Sequence, residues 1–219
     1  MVIIHYCGGL GNQMFQYAMG YSIAANYQHK ISHNLDWYKE FSKKENREFL
    51  IDKFPLDNLE WIKEEQNHIL DQIHIYWYHQ NPNNFEKYRE NLKKMFNIPH
   101  ESLSEGTTAI HIRRCDYVQL NRTIGGDYYN NAMEILGSTN TMVFSDDPEW
   151  AQRLNLGQVY PSVGIIEDML TMSTAERFII ANSTYSWWAA YLSGKSDVIY
   201  PKELLNNNIN LGLKNWKML

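Results

Sequence analysis

The chain has 219 residues, enough for one large domain or two small ones, and its 44% apolar and 21% charged residues exclude disordered and fibrous proteins. Lysine and arginine total 20 against 25 aspartates and glutamates, and the net charge of -5 argues against a general nucleic-acid-binding protein. With two cysteines, the chain offers neither a disulfide framework nor an all-cysteine zinc site.

The start of the chain has no basic segment and only a very short apolar run, which differs from a secretory signal peptide. No window approaches the roughly 20 consecutive apolar residues of a membrane-spanning helix. We therefore expect a cytoplasmic protein without a membrane span.

The first residues predict an α/β unit. Residues 2–7 are apolar and β-branched and end at Gly8-Gly9, which is typical of a buried strand followed by a tight turn. Apolar residues then recur at helical spacing from 12 to 27, which predicts a helix packed on that strand.

Residues 35–105 are more polar. The spacing predicts one helix over 60–80, with Trp61, Ile69, Ile73 and Trp77 facing inward. A second helix is predicted over 85–96, ended by Pro99.

The second half alternates strands and helices with short links, which is the pattern of a parallel sheet. We predict strands at 107–113, 141–145, 159–160, 177–181 and 198–200, and helices at 127–136, 147–154, 166–175 and 184–192, with Asp127 as a helix cap. The division between two domains is predicted near 102–106, giving domains 1–104 and 105–219.

The segment CGGLGNQ, residues 7–13, is the first candidate site. Its glycines let the backbone approach a ligand, and the helix that follows offers N–H groups to an anion. The spacing matches neither the dinucleotide fingerprint nor a P-loop, so a purely structural turn is an equal alternative.

The segment HIRRCDY, residues 111–117, lies at the carboxyl end of a predicted parallel strand, where ligands of open α/β sheets bind. Arginine presents a planar fork of donors that matches phosphate oxygens. Asp116 would orient an arginine or receive a proton, and the alternative is a surface ion pair between Arg114 and Asp116. A lone strand histidine such as His111 is more often packed than catalytic.

Two further segments follow predicted strands. Small polar residues in ANSTYSWW, residues 181–188, suit either phosphate binding at a helix start or helix capping, and the two tryptophans suit core packing better than sugar stacking. Asp146 and Asp147 would accept bonds from a base or ribose, or cap the helix that begins at Pro148; a metal site there is poorly supported.

Together and in order, these segments resemble the α-1,2-fucosyltransferase family, which includes bacterial O-antigen enzymes and blood-group H transferases. The resemblance rests on GGLGNQMFQYA (8–18), HIRRCDY (111–117), FSDD (144–147) and MLTMSTAERFIIANSTYSWWAAYL (169–192). It implies a GT-B-like fold: two Rossmann-like halves with parallel sheets, a reduced N-terminal half on the acceptor side, and a C-terminal half that holds most of the donor.

The resemblance also implies a reaction. An inverting glycosyltransferase would move L-fucose from GDP-β-L-fucose to a glycan hydroxyl, O2 of galactose by family expectation, with no metal or other cofactor.

Site roles carry over from the family in the same way. Arg113 would bind the donor diphosphate and Arg114 would assist it, with Asp116 or Asp127 as candidate bases. The other donor-binding residues implied are Gly9, Gly11, Asn12, Gln13, His111, Asp146, Asp147, Asn182, Ser183, Thr184 and Ser186.

The chain departs from the family pattern in three places. Cys115 stands where the family usually has glycine, Ala175 stands where cysteine is common, and the part before HIRR is short. These departures keep two alternatives open: a transferase for another GDP-sugar or acceptor, and a non-catalytic glycan- or nucleotide-binding protein on a decayed transferase fold.

Overall fold

The computed structural model describes residues 1–56, 60–61, 72–204 and 211–219, with the side chains of 42, 60 and 61 excepted. The chain divides into two compact units, unit 1 (Met1–Ile98) and unit 2 (Pro99–Leu219). This division falls a few residues before the predicted one. None of the described helices is both long and apolar enough to cross a membrane.

The described part of unit 1 contains the strands β1 (Val2–His5), β2 (Ile31–Asn34), β3 (Glu60–Trp61) and β4 (Ile73–Ile75), and the helices α1 (Leu10–Tyr27), α2 (Asp36–Glu45) and α3 (Arg89–Met95), with 3-10 turns at Ile51–Lys53, Pro82–Asn84 and Glu86–Tyr88. The four strands form a parallel sheet in the order β3-β2-β1-β4. Helix α1 lies so close to β1 that a Cβ on Gly20 would sit 2.3 Å from Cδ1 of Ile4, so any larger residue there would force the buried Ile4 side chain to move.

The described part of unit 2 contains the strands β5 (Thr108–Ile112), β6 (Thr141–Ser145), β7 (Gln158–Val159), β8 (Arg177–Ile179), β9 (Val198–Tyr200) and β10 (Lys217–Met218). These six strands form a parallel sheet in the order β10-β9-β8-β5-β6-β7. The helices are α4 (Cys115–Gln119), α5 (Gly126–Leu136), α6 (Pro148–Arg153), α7 (Ile165–Ser173) and α8 (Thr184–Ser193). Trp187 and Trp188 are fully buried, so core packing is their role and sugar stacking is not.

Two predictions about secondary structure are wrong. The helix predicted over 60–80 does not form in the described residues: Glu60–Trp61 is a strand that pairs with β2, Ile73–Ile75 is a strand that pairs with β1, and Trp77 is 77% exposed instead of inward. Residues 62–71 of that predicted helix lie outside the described residues. Gly125, not Asp127, is the N-cap of α5. In each case tertiary pairing or backbone geometry overrides the local pattern.

Candidate active site

The carboxyl ends of β5 and β6 bring two arginines and three aspartates together. Nη1 of Arg113 donates to Oδ2 of Asp146 at 2.5 Å, and its Nη2 donates to Oδ1 of Asp116. The backbone N–H of Arg114 donates to the other oxygen of Asp146 at 2.8 Å. Asp146 therefore fixes the turn after β5 and the direction of Arg113 together. This is the strand edge at which ligands bind in open parallel sheets.

Arg114 makes a separate set of contacts. Its Nε donates to Oδ2 of Asp147 at 3.0 Å, and its guanidinium lies 4.1 Å above the ring of Trp150. Oδ1 of Asp147 accepts the backbone N–H of Trp150 and caps α6. That backbone bond, followed by Arg114, lowers the pKa of Asp147. Asp147 thus has the capping role that the sequence offered as an alternative, and the predicted pair of Arg114 with Asp116 is replaced by Arg114 with Asp147.

His111 lies in β5, one residue before the carboxyl end of the strand. Burial and the charge of Arg113 lower its pKa to about 3, so the imidazole is neutral at pH 7. Its Nδ1 is buried and has no hydrogen-bond partner among the described residues. The ring of Tyr185 lies 5.3 Å away. A buried polar atom without a partner is uncommon in proteins, which makes this nitrogen a candidate contact for a bound ligand.

The start of α8 contains the next predicted residues. Nδ2 of Asn182 donates to the carbonyl of Arg122 at 2.8 Å, which leaves Oδ1 of Asn182 buried without a partner in the described chain. Ser183 caps α8 by accepting the N–H of Tyr185, and the fully buried Ser186 donates to the carbonyl of Ser183. Asn182 therefore keeps a free acceptor, whereas Ser183 and Ser186 have the capping roles. Thr184, half-buried, is the first residue of the helix.

The predicted N-terminal loop is largely the first turn of α1. Gly8 has φ +78, a conformation suited to glycine, and Gly9 is the N-cap. Gly11 and Gln13 are buried within the helix, and Asn12 is half-buried with its Oδ1 accepting from Gln80 at 3.0 Å.

Gln13 uses its whole carboxamide inside unit 1. Nε2 donates to the carbonyls of Gly8 and Glu48 at 3.2 and 2.8 Å, and Oε1 accepts the N–H groups of Leu50 and Ile51 at 2.8 and 3.0 Å. These four bonds fill the capacity of the amide. Gln13 therefore links the glycine turn to the segment after α2. Its amide has no hydrogen-bonding capacity left for a donor nucleotide sugar.

Sequence reasoning missed two tyrosines, Tyr117 and Tyr38, that contact the predicted site residues. Tyr117 lies with its ring 5.2 Å from the guanidinium of Arg113 and donates to the carbonyl of Asn182 at 3.3 Å. Tyr38 donates to the carbonyl of Gly8 at 2.6 Å. Tyr117 belongs to the HIRRCDY segment, so its position in the sequence could have identified it as a site residue. No local sequence feature connects Tyr38 with Gly8.

The comparisons with known proteins agree on one class. The profile of glycosyl transferase family 11 matches residues 1–211. An α-1,2-colitosyltransferase of Escherichia coli is 28% identical over 88% of this chain and 87% of its own length. The O-antigen biosynthesis glycosyltransferase WbnK of Escherichia coli is 34% identical over 50% of this chain and 43% of its own length.

Similarity to the solved structure of a heptosyltransferase confirms the predicted fold class. The heptosyltransferase WaaC of Escherichia coli, solved with ADP, is similar with a TM-score of 0.53 over 99% of this chain and 92% of its own, at 11% identity. The α-1,6-fucosyltransferase NodZ, solved after a GDP-fucose soak, has a TM-score of 0.48 at 12% identity over 87% and 91% of the two chains. With its two parallel α/β units, the chain has the GT-B-like architecture.

Proposed function

Because the chain belongs to glycosyl transferase family 11, we propose that this glycosyltransferase moves L-fucose from GDP-β-L-fucose to a glycan hydroxyl with inversion at the anomeric carbon. The proposed acceptor atom is O2 of galactose. Supporting this linkage, the similar Escherichia coli colitosyltransferase is also named for an α-1,2 transfer. The resemblance of the GGLGNQ, HIRRCDY and ANSTYSWW segments to α-1,2-fucosyltransferases supports the donor.

One observation in particular supports a donor-binding site in unit 2. Two arginines at the carboxyl edge of unit 2 lie near two buried polar atoms, Nδ1 of His111 and Oδ1 of Asn182, for which the described residues supply no partner. The two atoms belong to the neighbouring strands β5 and β8 and their extensions. Arginines suit the oxygens of a diphosphate. The unpaired acceptor of Asn182 suits a hydroxyl or N–H donor, which the nucleoside part of a nucleotide sugar supplies. A simple phosphate would satisfy only the arginines.

The reaction follows from this chemistry. The acceptor oxygen forms a bond to the anomeric carbon of fucose while the bond from that carbon to the diphosphate oxygen breaks, and GDP leaves with the electron pair. Arg113 stabilises the charge that grows on the leaving diphosphate. Its partner Asp116 has a side chain 38% exposed, against 20% for Asp146, so a phosphate oxygen replaces Asp116 more readily than Asp146.

We propose that the transfer requires no metal ion. The guanidinium of Arg113 supplies positive charge to the leaving group, and Asp146 and Asp147 already accept bonds from Arg113, Arg114 and the start of α6. Carboxylates engaged in this way are poor candidates to coordinate a divalent ion. In this scheme the two aspartates orient the arginines, and activity persists in EDTA.

Colitose is a second candidate sugar, because the 28% identical relative transfers it by name. Competition among GDP-fucose, GDP-colitose and GDP-mannose for the same protein distinguishes the candidates. In each mixture, the preferred donor lowers the amount of the other two sugars that is transferred to the acceptor.

The test is calorimetric titration of GDP-fucose in EDTA, followed by measurement of GDP release with a galactoside acceptor. Arg113→Ala is expected to lower turnover by about 10²–10³-fold, as the loss of an oxyanion donor does. Arg177→Ala, at the amino end of β8 and so on the opposite edge of the same sheet, is the matched control and keeps wild-type turnover. Wild-type turnover by Arg113→Ala, or an absolute requirement for a metal, contradicts the proposal.

A further inference from the structure

Tyr117 in helix α4 contacts residues that follow two different strands of unit 2. Its ring centroid lies 5.2 Å from Cζ of Arg113, which comes directly after β5. Its hydroxyl donates to the backbone carbonyl of Asn182, beyond the end of β8, at 3.3 Å. Both strands end at the edge where open parallel sheets bind ligands. One half-buried side chain therefore links the arginine proposed for the diphosphate with the asparagine proposed for the nucleoside.

Three groups hold the guanidinium of Arg113. Nη1 donates to Asp146, Nη2 donates to Asp116, and the ring of Tyr117 lies within the distance at which an aromatic face attracts a cation. A phosphate oxygen that binds Arg113 competes with the carboxylates for N–H groups, whereas the aromatic ring uses none of them. Tyr117 and Asp146 therefore keep the guanidinium in place while a donor oxygen replaces the more exposed Asp116.

Asn182 is held from two directions by the segment that contains Tyr117. Its carbonyl oxygen accepts from the hydroxyl of Tyr117, and its Nδ2 donates to the carbonyl of Arg122 at 2.8 Å. Arg122 is fixed to the same segment, because its backbone N–H donates to the carbonyl of Tyr117 at 2.9 Å. These bonds form a closed ring through the three residues. The buried Oδ1 of Asn182, for which the described residues supply no partner, is thereby held in a defined direction.

Tyr128 shows the contacts of a structural tyrosine on the same sheet. Its hydroxyl donates to the backbone carbonyls of Ile180 and Ile199 at 2.8 and 3.2 Å, and its ring packs against the apolar core of unit 2. These contacts fix α5 to the sheet. Tyr117 differs because its ring contacts a charged side chain and its hydroxyl contacts a residue with an unpaired side-chain acceptor.

We propose that Tyr117 is a positioning residue of the donor site. Its ring keeps Arg113 aligned when a diphosphate oxygen replaces Asp116, and its hydroxyl keeps Asn182 aligned for the nucleoside. The inference rests on the proposed function and gives Tyr117 no contact with the reacting atoms. Because one side chain aligns both groups, a change at Tyr117 alters the recognition of both parts of GDP.

The first experiment compares two substitutions of Tyr117. Tyr117→Phe keeps the ring and removes the hydroxyl, whereas Tyr117→Leu removes both. Because one neutral hydrogen bond has a small net value, we expect Tyr117→Phe to weaken GDP binding about threefold and to keep kcat close to that of the wild type. Tyr117→Leu also loses the cation–π contact, so we expect GDP binding about tenfold weaker. Its kcat falls about tenfold, because Arg113 is no longer aligned with the leaving diphosphate.

Double-mutant cycles then identify the residue through which each part of Tyr117 acts. In an Arg113→Ala background, the further loss of GDP affinity from Tyr117→Leu is expected to fall to about threefold, because the ring has no guanidinium to hold. In an Asn182→Ala background, Tyr117→Phe is expected to leave GDP affinity unchanged, because the side-chain acceptor that it aligns is gone. A merely structural loss would be equal in every background. Calorimetric titration of GDP in EDTA measures these differences.

Tyr128→Phe is the matched control. It removes a hydroxyl that donates two hydrogen bonds on the same sheet, so we expect a lower Tm with GDP affinity and kcat unchanged. Thermal unfolding of every variant checks that each is folded at the temperature of the assay.

The outcomes separate the two proposals. If the wild type neither binds GDP-fucose nor transfers fucose, the proposed function fails and this inference fails with it. If the wild type binds and transfers, and Tyr117→Leu matches Tyr128→Phe in GDP affinity and kcat, the inference alone is overturned. A loss from Tyr117→Leu that is as large in the Arg113→Ala background as in the wild type also overturns it.

Discussion

The segments GGLGNQ in unit 1 and HIRRCDY in unit 2 follow the first strands, β1 and β5, of two parallel sheets, yet their polar side chains behave differently. Gln13 is fully buried and makes four hydrogen bonds within unit 1. Arg113 remains partly exposed, between Asp146 and Asp116. One segment stabilises its own turn, and the other presents charge at a sheet edge.

The difference follows from the cost of burial. A neutral amide can be removed from water when every donor and acceptor is paired. An arginine stays charged, and burying it is expensive even beside a carboxylate, so it stays at the surface with room to exchange a partner. A sequence motif therefore indicates a binding group most reliably where its residue stays charged and partly exposed.

The sharpest test of this comparison is Gln13→Ala. We expect a loss of about 3–5 kcal/mol in the free energy of unfolding, because the N–H groups of Leu50 and Ile51 and the carbonyl of Glu48 lose their hydrogen-bond partner in a partly buried site. Urea unfolding measures this loss. Asn12→Ala, at the half-buried neighbour, is the control and costs roughly 1 kcal/mol.

A different outcome would break the comparison. If Gln13→Ala keeps wild-type stability and instead loses GDP-fucose affinity, the glycine turn is a donor-binding loop, as the family resemblance implies.

The buried imidazole of His33 predicts a pH-dependent change in the free energy of unfolding, smaller than the effect of Gln13→Ala. Burial lowers the pKa of His33 in unit 1 to about 4. Between that value and the ordinary pKa of about 6.5, the unfolded chain binds more protons than the folded one, so stability falls as the pH falls through this window. His33 accounts for about 2 kcal/mol of lost stability at pH 5.

Urea unfolding of the wild type and His33→Gln at pH 7 and pH 5 isolates this contribution, since other groups titrate equally in both proteins. The wild type is expected to lose more stability than the variant over this interval. Equal losses would show that His33 is not held neutral. His111 in unit 2 has a pKa of about 3, so its contribution continues to a lower pH.

The smallest expected effect concerns Cys115, where the family usually has glycine. Cys115 begins α4, has no left-handed backbone, and its exposed thiol donates to the carbonyl of Asp146 at 3.2 Å. Cys115→Gly should change stability by less than about 1 kcal/mol and leave GDP-fucose affinity unchanged. Thermal unfolding and titration measure both, and a tenfold change in affinity would show that the thiol shapes the turn after Arg114.

Much of unit 2 was predictable because its segments are short and strongly patterned. The helix over Thr184–Ser193 ends at Gly194 in a left-handed conformation, and Pro148 begins α6 after the capping residue Asp147, as the local residue types indicated. The capping role of Ser183 was also among the alternatives from sequence.

Unit 1 was less predictable. The strand Ile73–Ile75 is only three residues long and owes its form to pairing with β1, seventy positions away along the chain. Its histidine meets His5 only because β1 and β4 are neighbours in the sheet. A helical reading of that segment was locally reasonable, since short strands carry little periodic signal.

Residue type and spacing were enough to indicate the family, the alternation of strands and helices, and the arginines at the end of β5, because these features are encoded locally. The partners of the polar side chains emerge only in the folded chain: Asp146 rather than solvent for Arg113, the segment after α2 rather than a ligand for Gln13, and His5 for His74. Hydrogen bonding and burial depend on which distant segments the fold brings together, and the free energy of each polar group is set by those neighbours.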